Sequence, residues 1–451
     1  MLDVRMLKTY FGYVVPSTLA FVLTGVYSIV DGFFVGQMAG DVALAGINVA
    51  WPIVALVMAL GTGIGMGGAV VSSIRAGEGD EVASRRAIGC AITLLVAVTP
   101  VVMAVLLLGG QPLLWVIGGR EEVLVQAQAY LSVIAWGSVF QMVEGGCVPL
   151  VRNMGHVKFA MVAQMVGGLV NVLGDWLLVM VLGWGIVGAA VATVSAQAIA
   201  SVFFIVFFLR GGRLSRADLG VDRSIVGRMF KIGFAPAALT LLPEVTTVVM
   251  NIATVTYGGV TAQASFAIMS YTVVAVQWVI QGVHDGSQPI ISLCYGSGDA
   301  RSVRRLRHIN YVLAILVAVL GWVGLYLSRW QIAALFGASP EGAAVFAHGV
   351  TLFALCLPFY AIAHVVVSFF YAVEHARGSF ALIVGEVVLM VAFPIVLPLF
   401  WGLDGAWMSA LFCYAILAVM ALGLMHAGRD ALRERLLRQK RLHDEKENEV
   451  V

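Results

Sequence analysis

Apolar runs of about twenty residues follow one another along nearly the whole chain, separated by short polar turns. Ala91 to Gly110 carries no charged residue, and neither does Val312 to Ser328. A run of that length is what an α-helix needs to cross a hydrocarbon core of about 30 Å. The pattern lacks the alternating ten-residue segments of a membrane β-barrel. It predicts helical spans at roughly 10–35, 46–74, 87–109, 124–148, 159–182, 186–209, 232–257, 261–293, 309–328, 345–371, 378–400 and 404–427. The expected fold is therefore an all-α membrane protein with twelve transmembrane helices. Composition agrees: 61% of the 451 residues are hydrophobic and 12% charged, against about 25% charged in a soluble domain.

Charge adds an orientation. With twelve alternating spans, 25 of the 27 Lys and Arg residues fall on one face, leaving Arg120 and Arg329 on the other. The basic face is cytoplasmic by the positive-inside rule, and an even span count places both termini there. A bacterial inner (plasma) membrane is the expected location. The net charge of +2 gives no reason to expect a nucleic-acid partner. The apolar run Tyr10 to Val35 is too long for a cleaved signal. Five scattered cysteines show no disulfide or zinc spacing.

The first six spans resemble the last six. Gly12 and Pro16 correspond to Gly233 and Pro236. Gly77-Glu78-Gly79-Asp80 followed by Arg85-Arg86 matches Gly296-Ser297-Gly298-Asp299 followed by Arg304-Arg305. Phe159-Ala160 matches Phe380-Ala381, and Gly185-x-x-Gly188-Ala189 matches Gly402-x-x-Gly405-Ala406, all at offsets of 217 to 221. An even number of spans per repeat sets both halves the same way up, as two pseudo-symmetric six-helix lobes, an arrangement common in transporters. The expected division is a first lobe at 1–209, a cytoplasmic amphipathic linker at 210–231, a second lobe at 232–428 and a charged cytoplasmic tail at 429–451. The linker mixes Leu214, Leu219, Ile225 and Phe230 with basic residues and reads as an interfacial helix.

Six acids, and no Lys or Arg, fall well inside the spans: Asp31, Glu144, Asp175, Glu244, Asp285 and Glu386. A carboxylate at the bilayer centre costs at least about 2.5 kcal/mol, so such groups are functional candidates. Without a buried base they must be protonated, solvated in a cavity, or hold a cation. Asp31, Asn171, Asp175 and Thr193 are placed by span direction in the outer half of the first lobe, a donor set suited to H+ or to a small hard cation such as Na+. Glu244 follows Pro243, and Asp285 adjoins His284; both are second-lobe candidates, with His364 behind them. Glu144 and Glu386 read as cavity-facing or snorkelling residues. Tyr27, Trp51, Phe140, Met142, Tyr271, Trp278, Phe359 and Tyr360 are candidate cavity walls, although each taken singly reads more readily as ordinary helix packing or lipid contact. Aromatic and Met walls suit flat lipophilic cations. The tail reads as a solvated helix.

These residues sit in motifs. Tyr27-Ser28-Ile29-Val30-Asp31-Gly32, Leu150-Val151-Arg152-Asn153-Met154-Gly155-His156, Asn171-Val172-Leu173-Gly174-Asp175 and Gln288-Pro289-Ile290-Ile291-Ser292 together resemble the multidrug and toxic compound extrusion (MATE) transporters of the multidrug/oligosaccharidyl-lipid/polysaccharide exporter superfamily. The resemblance implies two lobes around a V-shaped cavity. It implies export of cationic or amphipathic organic compounds against inward H+ or Na+, the coupling ion standing in place of any cofactor. It also implies a first-lobe cation site at Asp31 and Asp175, supported by Asn171 and Thr193, and a protein that works as a monomer in the bilayer. Gly174 stands where the family often has Leu, and Ala372-Val373-Glu374 where Gln-Ala-x-Gly is common. Neutralising the two aspartates would let span one repack near Pro16 or Gly25. A flippase of a lipid-linked precursor would want a basic cavity, which the absence of buried Lys and Arg disfavours. A channel or scaffold would not need paired carboxylates, and an intramembrane enzyme lacks its motifs.

Overall fold

The computed structural model describes the backbone at residues 4–38, 40–210 and 214–450, and the side chains at 5–26, 42–43, 45–210 and 214–441. Thirteen α-helices run through these residues: α1 Val4–Met38, α2 Gly40–Gly77, α3 Glu81–Ile117, α4 Glu121–Asn153, α5 Val157–Asp175, α6 Gly185–Arg210, α7 Arg223–Gly296, α8 Ala300–Leu335, α9 Pro340–Phe353, α10 Leu357–Ala372, α11 Ala376–Val396, α12 Pro398–Ala427 and α13 Arg429–Val450. A π-helical turn, Trp176–Val181, continues α5, and a 3-10 turn, Ala354–Cys356, joins α9 to α10.

Eleven helical stretches among the described residues are long and apolar enough to cross a membrane. One of them, α7, has 74 residues; at about 1.5 Å per residue it would reach some 110 Å if straight. It is broken at Gly259, with φ 66° and ψ −164°, a backbone region essentially reserved for glycine. The break separates the seventh expected span from the eighth and restores the count of twelve. The protein is an integral, multi-pass membrane protein built from helices alone among the described residues.

The repeat is visible in the backbone. Gly79 and Gly298 both take positive φ, at 76° and 68°, and so do Gly185 and Gly402, at 54° and 55°. Asp80 caps α3 by accepting from the Ala83 N–H, and Asp299 caps α8 by accepting from the Arg301 and Ser302 N–H groups. His156 and His375 hold the N-cap positions of α5 and α11, with closely similar backbone angles. At Gly155 φ is 87°, while its counterpart Glu374 takes φ 53° with a full side chain.

Contacts divide the chain into two compact units, Leu19–Leu241 and Met1–Thr18 with Leu242–Val451. The divisions fall inside α1, two residues after Pro16, and inside α7, between Pro236 and Pro243. In the first unit, α2, α4 and the start of α7 pack through glycines. A Cβ on Gly65 would lie 2.2 Å from the Gly146 carbonyl oxygen, and one on Gly233 would lie 2.0 Å from that of Gly63. Small residues let membrane helices approach closely and gain packing where no hydrophobic driving force separates helix from lipid. Phe204 and Phe207 of α6 close a cluster with Cys147, Val151 and Ala160. In the second unit the N-terminal part of α1 lies on α7 and α8: a Cβ on Gly282 of α7 would meet Thr18 Cα at 2.4 Å, and Tyr10 donates to Asn310 Oδ1 of α8 at 3.1 Å.

The connector differs from a separate amphipathic helix. Residues 214–222 hold only a 3-10 turn at Arg216–Asp218, and the helical part of the expected linker is the opening of α7. Asp218 closes a capping box with Ser215, its carbonyl packs where a Cβ on Gly89 would come within 2.0 Å, and the Gly220 N–H donates to Thr93 Oγ1 at 3.2 Å. The tail is helical and most of its described side chains are exposed, while Leu436 is buried and the Lys440 backbone lies 2.4 Å from where a Cβ on Gly298 would sit.

Candidate functional site

The first-lobe site is built on α5 and α6. Between Lys158 and Arg210 the only charged residue is Asp175. It ends α5 where the helix widens into the π-helical turn, and it is fully buried, at 0% exposure. Asn171, one turn earlier on the same face, is also buried and donates from Nδ2 to Thr193 Oγ1 of α6 at 3.5 Å. Its Oδ1 finds no hydrogen-bond partner among the described residues. Gly174 permits the approach of the two helices, since a Cβ there would lie 2.9 Å from the Ala192 Cβ. Gly188 does the same at the start of α6, facing the Leu178 backbone.

The oxygens of Asp175, Asn171 and Thr193 thus lie on two helices held close by Gly174 and Gly188. Such a donor set fits a proton or a hard monovalent cation, because carboxylate, amide and hydroxyl oxygens are the ligands such ions accept. The buried, unbonded Asn171 Oδ1 is the observation that favours an additional donor or ion there. Asp31 and Tyr27 lie on the α1 helix, with side chains outside the described residues. Among the described residues no group of three or more His, Cys, Asp or Glu side chains could hold a metal ion.

The second-lobe acids are distributed otherwise than expected. Glu244 is half-buried on α7. Asp285 is buried and accepts a hydrogen bond from the Tyr371 hydroxyl at 2.9 Å. Glu386 is not a snorkelling residue: it is 2% exposed, its Oε1 lies 3.1 Å from His364 Nε2, and it accepts from the Tyr414 hydroxyl at 3.0 Å. Sequence reasoning placed His364, Asp285 and Glu386 one by one but not together, and it missed Tyr371 and Tyr414. These residues come from four helices whose packing no local pattern encodes. Glu144 is half-buried on α4. Of the wall candidates, Trp51, Tyr271 and Phe359 are exposed, Phe140 and Trp278 are intermediate, and Met142 and Tyr360 are buried. Met142 packs its backbone against Gly61, and the Tyr360 ring stacks on His364 at 3.8 Å, so neither is an open wall.

Comparison with known proteins gives the same architecture a lineage. The MatE family model matches residues 16–177. The chain is 26% identical over 425 residues to the multidrug export protein MepA of Staphylococcus saprophyticus, covering 93% of both chains. Among solved structures it superposes on an outward-facing MATE family transporter of the MOP superfamily with a TM-score of 0.90 at 19% identity, covering 96% of this chain and 99% of that one. It superposes on a MATE protein in a bent conformation with a TM-score of 0.86 at 19% identity, covering 96% and 97%. Motifs, helical fold and relatives point the same way: the chain is similar to the MatE family model over residues 16–177 and, over most of its length, to multidrug export and MATE proteins.

Proposed function

We propose that this protein is a secondary active exporter that moves small cationic or amphipathic organic compounds out of the cell in exchange for inward H+ or Na+. The observation that carries the reading is Asp175: a fully buried carboxyl at the mouth of a π-helical turn, on one helix face with Asn171, which reaches Thr193. Asp31 completes the site from α1. The coupling ion is bound by Asp31 and Asp175 with Asn171 and Thr193 as neutral oxygen donors, and both termini face the cytoplasm.

The physical logic is charge balance. A buried carboxylate without a cation is costly, so it holds either a coupling ion or a cationic substrate. Ion binding removes the counter-charge that retains the substrate, and the coupling is reciprocal. The π turn next to Asp175 gives α5 a local backbone ladder that can reset when the carboxyl changes charge. Glu244 is a supporting acid in α7.

Efflux from proteoliposomes under imposed proton or sodium gradients tests this. Asp31→Asn and Asp175→Asn are expected to lower gradient-driven efflux by about tenfold or more, and Thr193→Val to weaken it without abolishing it. Undiminished efflux in both aspartate variants overturns the site. Glu244→Gln is expected to slow turnover, and wild-type rates would reject its role.

A further inference from the structure

We propose that the second lobe carries a proton-binding site of its own, in which His364 and Glu386 share one exchangeable proton and Tyr414 anchors the carboxylate. His364 and Glu386 are 5% and 2% exposed. His364 Nε2 and the Tyr414 hydroxyl converge on the same Glu386 oxygen, at 3.1 and 3.0 Å. With one proton fewer, the pair of neutral imidazole and carboxylate is a buried anion. With one proton more it is neutral overall, whether written as imidazolium with carboxylate or imidazole with carboxylic acid. A net charge buried in the membrane is costly, so an exchangeable proton on this pair would offset the carboxylate. The step is simple: a solvent proton bonds to the Nε2–Oε1 pair, no other bond changes, and nothing is oxidised.

A second unit stands beside it. Tyr371 donates to Asp285, and His284 Nδ1 lies 3.2 Å from the same Asp285 oxygen, outside hydrogen-bond geometry. The His284 ring is 1% exposed, its nitrogens meet no hydrogen-bond partner among the described residues, and its centroid is 6.4 Å from that of His364. A buried imidazole beside Asp285, with its ring 6.4 Å from that of His364, is placed to receive and pass a proton.

The repeat sets this cluster apart from the first lobe. At the offset of 219 set by the paired turns, His284 and His364 stand where the first lobe has Gly65 and Gly145. There the equivalent helices close upon one another, Gly65 against the Gly146 backbone. The second lobe fills that seam with imidazoles and acids. The titratable groups facing the pair are His284 and Asp285 from α7, Tyr360 and Tyr371 from α10, Cys356 from the turn before it, and Cys413 and Tyr414 from α12. Arg307 of α8 sits over the Phe369 ring at 5.4 Å, and His348 of α9 pairs with Asp404 of α12 on an exposed surface.

The test is infrared difference spectroscopy of the full chain in lipid nanodiscs, titrated between about pH 5 and 8, where histidine-linked sites exchange protons. Wild type should show a carboxyl signal that titrates with the uptake of one proton, absent in Glu386→Gln. Tyr414→Phe removes one oxygen and a hydrogen bond to Glu386 Oε1, so the carboxyl band should move in frequency relative to wild type. Asp175→Asn should leave this titration intact even where it abolishes efflux, which separates the site from the first-lobe one. The proposal fails if Glu386→Gln titrates like wild type, if Tyr414→Phe leaves the carboxyl band in place, or if Asp175→Asn removes the signal.

Discussion

A single missing Cβ sets the geometry around the proposed first-lobe site. Leucine at Gly174 would drive its Cβ to within 2.9 Å of the Ala192 Cβ and 3.2 Å of its Cα, pushing α6 away from the Asn171–Thr193 contact. Gly174→Leu is therefore expected to destabilise the protein by about 1–3 kcal/mol, the usual cost of overpacking, measured as a lower melting temperature in detergent. Glu374 is the opposite case. It holds φ 53° where the first repeat has Gly155, and a left-handed conformation costs a side-chain-bearing residue about 1–2 kcal/mol. Glu374→Gly should raise thermal stability, less whatever its side-chain contacts contribute. A melting temperature that falls sharply would show those contacts to outweigh the strain.

At the scale of elements, glycines with different surroundings have different roles. Gly259 breaks α7 at φ 66° and ψ −164°, so Gly259→Val is expected to abolish accumulation of folded protein in the membrane. Gly423 of α12 has an ordinary helical backbone and nothing within 4 Å of an added Cβ. Gly423→Ala should leave stability unchanged or raise it by about 0.5–1 kcal/mol, because alanine loses less backbone freedom in a helix. The connector is held by the Ser215–Asp218 box. The hydrogen bond from the Ser215 N–H, together with the Ser215 hydroxyl and the charges of Arg85 and Arg86, keeps the Asp218 carboxyl below the usual carboxylate range, against the opposing effect of burial. A depressed folded value means the contribution is present above the ordinary pKa of about 4 and is lost as pH falls through the folded value. Amide exchange at Ser215 should therefore quicken on acidification below that range beyond the intrinsic pH trend, and Asp218→Asn should remove the added acceleration.

For the whole molecule, orientation and coupling are the quantities to measure. The basic face gathers nearly every Lys and Arg, so a green fluorescent protein fused after the tail is expected to fluoresce in the cytoplasm; fusion that matures only outside would reverse the orientation. Each of α1 and α7 contributes to both compact units, dividing near Pro16 and between Pro236 and Pro243. No count of apolar runs foretells this, because a hydropathy pattern marks where a helix crosses lipid and not which neighbours it packs against.

Span number, the repeat and the isolation of Asp175 among apolar residues were written in the sequence, because lipid imposes helices of fixed length and makes each intramembrane charge conspicuous. The extra span hidden in α7 was legible for the same reason. Partnership was not. Whether Glu386 reached the headgroups or turned inward depended on His364, 22 residues away, and Tyr414, 28 residues away, and that choice is made by how α10, α11 and α12 pack. A linear pattern fixes which groups must leave water; only the assembled helices decide which of them meet.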